Sequence, residues 1–214
     1  MAGLFVTLEG GDGVGKTTQA TALEAWLRDG GHEVVRSREP GSTELGVEIR
    51  NLVLHGRGHI APRAEALLYA ADRAQNIGTV VRPALARGAV VLQDRYLDSS
   101  VAYQGAGRIL DGGQIRDLSL WAAEDLLPDL TVLLDLDEVS SRARLDAART
   151  EFDRLESEKT DFHARVRRAF LDLATGEPDR FLVLDAARPI DEIADAIRER
   201  VSVLLAAHPP IAEV

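Results

Sequence analysis

The sequence predicts an α/β fold: five short strands in one parallel sheet, flanked by helices. Two observations carry that expectation. Short runs rich in Val and Leu alternate along the chain with segments of helical apolar periodicity, as strands buried on both faces alternate with their crossover helices. The first run, Leu4-Phe5-Val6-Thr7-Leu8, passes into a glycine-rich loop and then a helix-like segment, Thr17 to Arg28. That is the order in which a phosphate-binding loop is built.

Taken in order, strands are expected at Leu4–Glu9, Glu33–Arg38, Ala89–Asp94, Leu130–Asp135 and Arg180–Asp185. Helices are expected between them, over about 16–29, 43–55, 62–87, 112–126, 138–148, 159–175 and 190–207. Pro62 stands where a first helical turn tolerates proline. Ile190, Ile193, Ile197, Val201, Leu204 and Leu205 give the last helix an apolar face for the sheet. No repeat or linker interrupts the pattern, so one domain over 1–214 is expected.

Composition narrows the partners. A chain of 214 residues that is 45% apolar can bury one sizeable core. Its formal net charge of −10 argues against nucleic acid or an anionic membrane as the main partner, while a local arginine cluster can still hold a small anion. Only Lys16 and Lys159 are lysine, so arginine is the default cation and each one must be judged by its position. There is no cysteine, hence no disulfide framework and no thiolate metal site. Met1-Ala2-Gly3 runs straight into the first strand and no apolar run reaches membrane-spanning length, so a cytoplasmic protein is expected.

The loop Gly10-Gly11-Asp12-Gly13-Val14-Gly15-Lys16-Thr17 fits G-x-x-x-x-G-K-[ST], in the strand–loop–helix setting that makes the pattern credible. Its glycines let successive backbone N–H groups turn inward toward phosphate oxygens, and the following helix presents its free amides to the same anion. Lys16 is expected to reach the β- and γ-phosphates, and the Thr17 hydroxyl to ligate Mg²⁺. The sheet is therefore expected to be of the P-loop NTPase type. The run Gly88–Leu92 ends in Gln93-Asp94-Arg95-Tyr96, where Asp94 supplies the strand-end carboxylate that holds Mg²⁺ directly or through water. Arg95 beside it suits a second phosphate.

Other residues read two ways. Arg38-Glu39-Pro40-Gly41-Ser42-Thr43 is a strand-to-helix loop, at the sheet end where open α/β sheets bind ligands. Arg50, taken alone, is a solvated helix charge. Tyr69 and Arg73 share one helix face and could hold a planar base, or form an ordinary surface pair, which spacing alone favours. Tyr103 reads as core, while Gln104 has the donor and acceptor that a pyrimidine edge needs. Asp135 or Asp137 is expected to cap the next helix. The arginines 142, 144, 149 and 154 form either a salt-bridged helix or a lid that closes over triphosphate. The histidines are scattered without ligand-like spacing.

Together these segments resemble the bacterial thymidylate kinase family. The matching motifs are Glu9–Thr18, Arg38-Glu39-Pro40-Gly41, Ala70-Ala71-Asp72-Arg73, Asp94-Arg95-Tyr96, Ala102-Tyr103-Gln104-Gly105, Pro128-Asp129-Leu130-Thr131 and Asp153-Arg154-Leu155-Glu156, in the family's order. The resemblance implies ATP and dTMP as substrates, Mg²⁺ as cofactor, a lid near 138–160 and a homodimer. It implies that Lys16, Thr17, Thr18 and the loop Gly10–Gly15, including Val14, hold ATP. Asp12 would lie near the acceptor's 3′-hydroxyl and the metal's water shell, and Arg50 and Arg95 would grip the dTMP phosphate. Tyr69 would stack on thymine, with Arg73 and Gln104 reading its edge, Ser99, Ser100, Glu39 and Pro40 nearby, and Tyr103 against the deoxyribose. Since Gly13 and Val14 leave the loop without an arginine, the lid would supply the catalytic one. Arg149 is the expected choice, Arg154 would assist at ATP, and Glu156 would hold the metal-bound region with Thr17 and Asp94. Ser42 stands where the family more often has glycine. The alternatives are a P-loop kinase for another nucleotide or nucleoside, and a P-loop regulatory module that transfers nothing.

Overall fold

The computed structural model describes residues 3–56, 58–148 and 152–207. Five strands, β1 (Phe5–Glu9), β2 (Val34–Arg38), β3 (Val90–Asp94), β4 (Leu130–Asp135) and β5 (Phe181–Asp185), form one sheet in the order β2-β3-β1-β4-β5. Every pairing is parallel. Central β1 is wholly buried, as expected when helices cover both faces. This is the α/β sheet of the P-loop NTPase type. Its strand order reverses around β1, and the carboxyl ends of β1 and β3 lie side by side with Leu8 opposite Asp94. A crevice at that switch point is where such sheets hold ligands.

Alternation along the strands divides the core into two chemically different faces. Val6 and Leu8 of β1, Leu92 of β3, and Val132 and Leu134 of β4 pack with α1 (Lys16–Asp29) and α9 (Ile190–Ala207), through Leu23, Leu27, Ile193, Ile197 and Val201. The intervening residues on the opposite face include Thr7, Glu9, Gln93 and Thr131, all fully buried. Buried polar groups need partners, and these find them in one another and in the loops and helices that build the site. Thr7 and Thr131, for instance, share a hydroxyl–hydroxyl bond of 3.0 Å.

The helices on that face depart from the sequence expectation in their interruptions. The segment expected as one helix over 62–87 is α3 (Pro62–Asn76), a π-helical stretch Ile77–Val81, and α4 (Arg82–Ala86). The widening precedes Pro83, which has no N–H to give and whose ring needs room against the preceding turn. Similarly, α2 (Glu44–Arg50), capped by Thr43 Oγ1 accepting from the Gly46 amide at 2.9 Å, widens over Asn51–His55. Residues 97–107, for which no helix was expected, are helical as α5 (Leu97–Ser100) and a π-helical continuation, Val101–Gly107. They are followed by α6 (Gly112–Ala122), α7 (Glu138–Ala148) and α8 (Thr160–Gly176). Asp137, not Asp135, takes the Ser140 amide at the start of α7, at 2.9 Å. Asp135 instead receives both arms of Arg167 from α8, at 2.7 and 3.0 Å.

Candidate active site

The loop between β1 and α1 can follow its path only with glycine at its tightest points. Gly10 has φ 127°, and a Cβ there would run into the Leu134 carbonyl oxygen; Gly13, at φ 77°, is closed in by Ser141 and Leu145 of α7. Gly15, at the N-cap of α1, offers no side chain to its first amides, which stay open to an anion. Lys16 folds back over this loop, donating to the carbonyls of Gly10 at 3.1 Å and Gly11 at 2.6 Å. Burial, then the Arg95 guanidinium, lowers its pKa, opposed by Asp94, Asp12 and Glu9.

Arg95 leaves the end of β3 in a left-handed conformation, φ 65°. This non-glycine strain sits at the crevice itself. It turns the guanidinium back toward the loop, where Nη1 donates to the Gly10 carbonyl at 3.0 Å and Nη2 pairs with Asp12. The guanidinium carbon lies 5.0 Å from the Tyr103 ring centroid, and Tyr103 donates its hydroxyl to Asp12 at 3.2 Å. Burial pushes the Asp12 carboxyl up, but Arg95 and Lys16 outweigh it and bring the carboxyl down to about 2. Asp12 is thus a fixed negative charge. Beneath it, Glu9 accepts from Ser99 Oγ at 2.6 Å and from the Tyr96 amide at 2.7 Å. Burial, with Asp98 adding, pushes Glu9 up to about 7.

A cavity of about 460 Å³ opens from this centre. Its wall includes Asp12, Gly13, Gly15, Lys16 and Thr17 of the first loop, then Glu39, Pro40, Arg50, Tyr69, Arg73, Asp94 and Arg95. Ser99, Ser100, Tyr103, Gln104, Asp153 and Glu156 also line it, as do the cations Arg38 and Arg144. Arg50 donates to the Pro40 carbonyl at 2.9 Å, across a cis Glu39–Pro40 peptide. The Gly41 amide of the same loop donates to Asp72 Oδ1 at 3.1 Å. Burial, with Glu39 adding, pushes Asp72 up to about 7. Thr18 is exposed on α1 beside Thr17.

Several expected residues are engaged in ways that spacing could not foretell. Arg73 is only 1% exposed. It is ion-paired to Glu39 at 2.8 Å and donates to Ser100 and Ser119 at 3.1 and 3.0 Å. Its Nε makes no hydrogen bond among the described residues. Gln104 donates through Nε2 to Glu65 at 2.9 Å. Arg154 donates to the same Glu65 at 2.5 Å and to the Val53 carbonyl at 2.8 Å. Arg149 lies outside the described residues. Glu9, Glu65 and Asp72 received no role from the sequence. An acid closing an apolar strand is a visible signal for Glu9, whereas Glu65 looks like an ordinary first-turn acid of α3.

The donor set suits a hard cation that keeps some water. Among the described residues no three His, Cys, Asp or Glu side chains cluster as a metal cage. Mg²⁺ at a phosphate site does not need one, because substrate oxygens and waters fill most positions. Asp94 Oδ1 is buried and accepts no hydrogen bond among the described residues, so it has a lone pair in reserve, and Thr17 lines the same cavity.

A family model described as thymidylate kinase matches residues 8–197. Over 207 residues the chain is 75% identical to the thymidylate kinase of Clavibacter michiganensis subsp. michiganensis, covering 97% of this chain and 98% of the relative. It is 72% identical to that of Leifsonia xyli subsp. xyli, covering 92% and 94%, and 55% identical to that of Bifidobacterium longum subsp. infantis, covering 96% and 88%.

Proposed function

The chain belongs to the thymidylate kinase family, and from that premise we propose how its residues divide the transfer of the γ-phosphoryl group of ATP to dTMP, which yields dTDP. The observation that carries the division is the convergence of Lys16, Arg95, Arg50 and Arg38 on one cavity in a chain of net charge −10. Two polyanions must be brought into line there, and fixed positive charge is what offsets their repulsion.

Lys16 and the amides from Gly10 to Thr18 hold the ATP phosphates. Arg95 and Arg50 hold the dTMP phosphate, each giving up a backbone carbonyl for a phosphate oxygen. The attacking atom is an oxygen of that phosphate, ionised at neutral pH, so no general base is required. Asp12 fits this: with its carboxyl near 2 it is no base, but it aligns Arg95 and accepts from the acceptor's 3′-hydroxyl. Tyr103 packs on the deoxyribose, where a 2′-hydroxyl would crowd it. Tyr69 stacks on thymine, and Gln104 and Arg73, both of which line the cavity, meet its edge.

Thr17 and Asp94, with Glu156 close by, would hold Mg²⁺, which when bound neutralises charge on the phosphoryl oxygens. The segment 138–160 is read as the lid of a single domain, with Arg149 as its catalytic arginine, while Arg154 is held by Glu65 and the Val53 carbonyl. Exposed Leu45, Leu52 and Leu67 on and after α2 and on α3 support a homodimer. Among the described residues no helix is long and apolar enough to cross a membrane.

ADP release with ATP and Mg²⁺ against dTMP, dUMP, dCMP, UMP, AMP, thymidine and water tests the reading. dTMP should give the largest kcat/KM. Turnover on another acceptor would discard the base pocket, and slow hydrolysis unchanged by any acceptor would discard the transfer.

A further inference from the structure

A glutamine amide can turn either its carbonyl oxygen or its NH₂ toward a base, and the two orientations select opposite partners. Thymine offers an N–H at ring position 3, whereas cytosine offers a lone pair there. A carbonyl accepts from the first and repels the second. The orientation of Gln104 is therefore decided by whatever binds the other end of its amide.

That group is Glu65, fully buried in the first turn of α3 and 2.9 Å from Gln104 Nε2. A carboxylate only accepts, so the amide must give it NH₂. Glu65 is also held by Arg154 Nη2 at 2.5 Å and Arg108 Nε at 3.3 Å. Burial alone would raise its carboxyl, but the bonds from Gln104, Arg154 and Arg108 outweigh it and keep the group ionised. No donor among the described residues reaches Gln104 Oε1, and the residue lines the cavity with Tyr69, Arg73 and Ser100.

We propose that Glu65 is the positioning residue that sets pyrimidine choice: by accepting from Gln104 Nε2 it turns the amide carbonyl toward the base, admitting a ring N–H at position 3 and rejecting a lone pair. The proposal rests on the reading of Gln104 as the base-edge residue. Glu65 itself touches no substrate.

The test is the ratio of kcat/KM for dTMP over dCMP in Glu65→Gln, Gln104→Ala and the double variant. An amide at position 65 can donate as well as accept, which frees Gln104 to flip. In Glu65→Gln the ratio should fall roughly tenfold or more, with KM for dTMP raised, kcat nearly unchanged and KM for ATP unmoved. In the Gln104→Ala background the same substitution should leave the ratio where Gln104→Ala put it, as expected of a residue acting through its partner. A wild-type ratio in Glu65→Gln, or an equal further fall in the double variant, overturns the proposal while leaving Gln104 as the reader. A wild-type ratio in Gln104→Ala removes the base-edge reading and the proposal together. If Glu65→Gln does not fold, Glu65→Asp carries the test in the same cycle: the shift it makes in the ratio should vanish in the Gln104→Ala background, and a shift that persists there overturns the proposal.

Discussion

Replacing Glu9 by Gln should stabilise the protein increasingly as pH rises from 4.5 to about 7 and change nothing below pH 4.5. Glu9 is fully buried and its carboxyl is pushed from an ordinary 4.5 up to about 7 by burial, with Asp98 adding. Between those values the folded chain holds a proton that the unfolded chain has lost. Stability is therefore fully present below pH 4.5 and declines as pH rises to about 7. At ~1.4 kcal/mol per pH unit, the loss is about 3 kcal/mol. Glutamine has no such proton, and its amide fits the site: the carbonyl can take the Tyr96 amide and the NH₂ can face Ser99, whose hydroxyl turns to accept. Urea unfolding of wild type and Glu9→Gln at pH 4.5, 5.5, 6.5 and 7.5 provides the assay, read as the difference between the two so that other titrating groups such as Asp72 cancel. The variant's advantage should grow with pH and level off near 7. A difference independent of pH would refute the reasoning.

Arg95→Met should lower kcat on the order of 10³-fold, since it removes a charge from the transferred group, and raise KM for dTMP more than KM for ATP in initial-rate kinetics. Thr17→Ala should raise the Mg²⁺ concentration needed for half-maximal rate in a metal titration, leaving the urea midpoint unchanged. Arg180 is paired to fully buried Asp98 at 2.7 and 2.9 Å. Arg180→Met should destabilise by about 3–5 kcal/mol in urea unfolding, because it strands a buried carboxylate, while KM for ATP in the folded fraction stays near wild type.

The strands were legible because most are short apolar runs closed by a polar or turn residue, and the structure trims four of them by one residue at the start and leaves β4 as expected. The helix over 97–107 was not. Ser99, Ser100, Gly105 and Gly107 are poor helix formers, and packing holds the segment instead. Tyr103 sits edge-on to Phe162 and Phe170, and a Cβ at Gly107 would strike the Phe162 ring. The candidate site divides the same way. The loop Gly10–Thr17 is one contiguous pattern, so its chemistry could be read directly. Glu9, Glu65 and Asp72 find their partners 90, 39 and 31 positions away, at Ser99, Gln104 and Gly41. Nothing in a local window carries such pairings, which exist only once strand alternation and helix placement bring the elements together.

The contacts of the phosphate-facing cations bear on how the cavity stays ready for anions. Lys16 rests on the carbonyls of Gly10 and Gly11, Arg50 on that of Pro40, and Arg95 on that of Gly10. A carbonyl dipole satisfies a donor without cancelling its charge, so at these contacts an incoming phosphate displaces only a neutral acceptor. A carboxylate in each of those places would have to be driven off against full ionic attraction. Asp12 is the exception, and its pairing with Arg95 serves another end: it fixes the guanidinium's direction while Tyr103 covers its second oxygen. Asp12→Asn should accordingly leave dTMP bound but misaimed. Its kcat should fall by a larger factor than its KM rises, and a raised KM with kcat unchanged would mean that Asp12 contributes to binding alone.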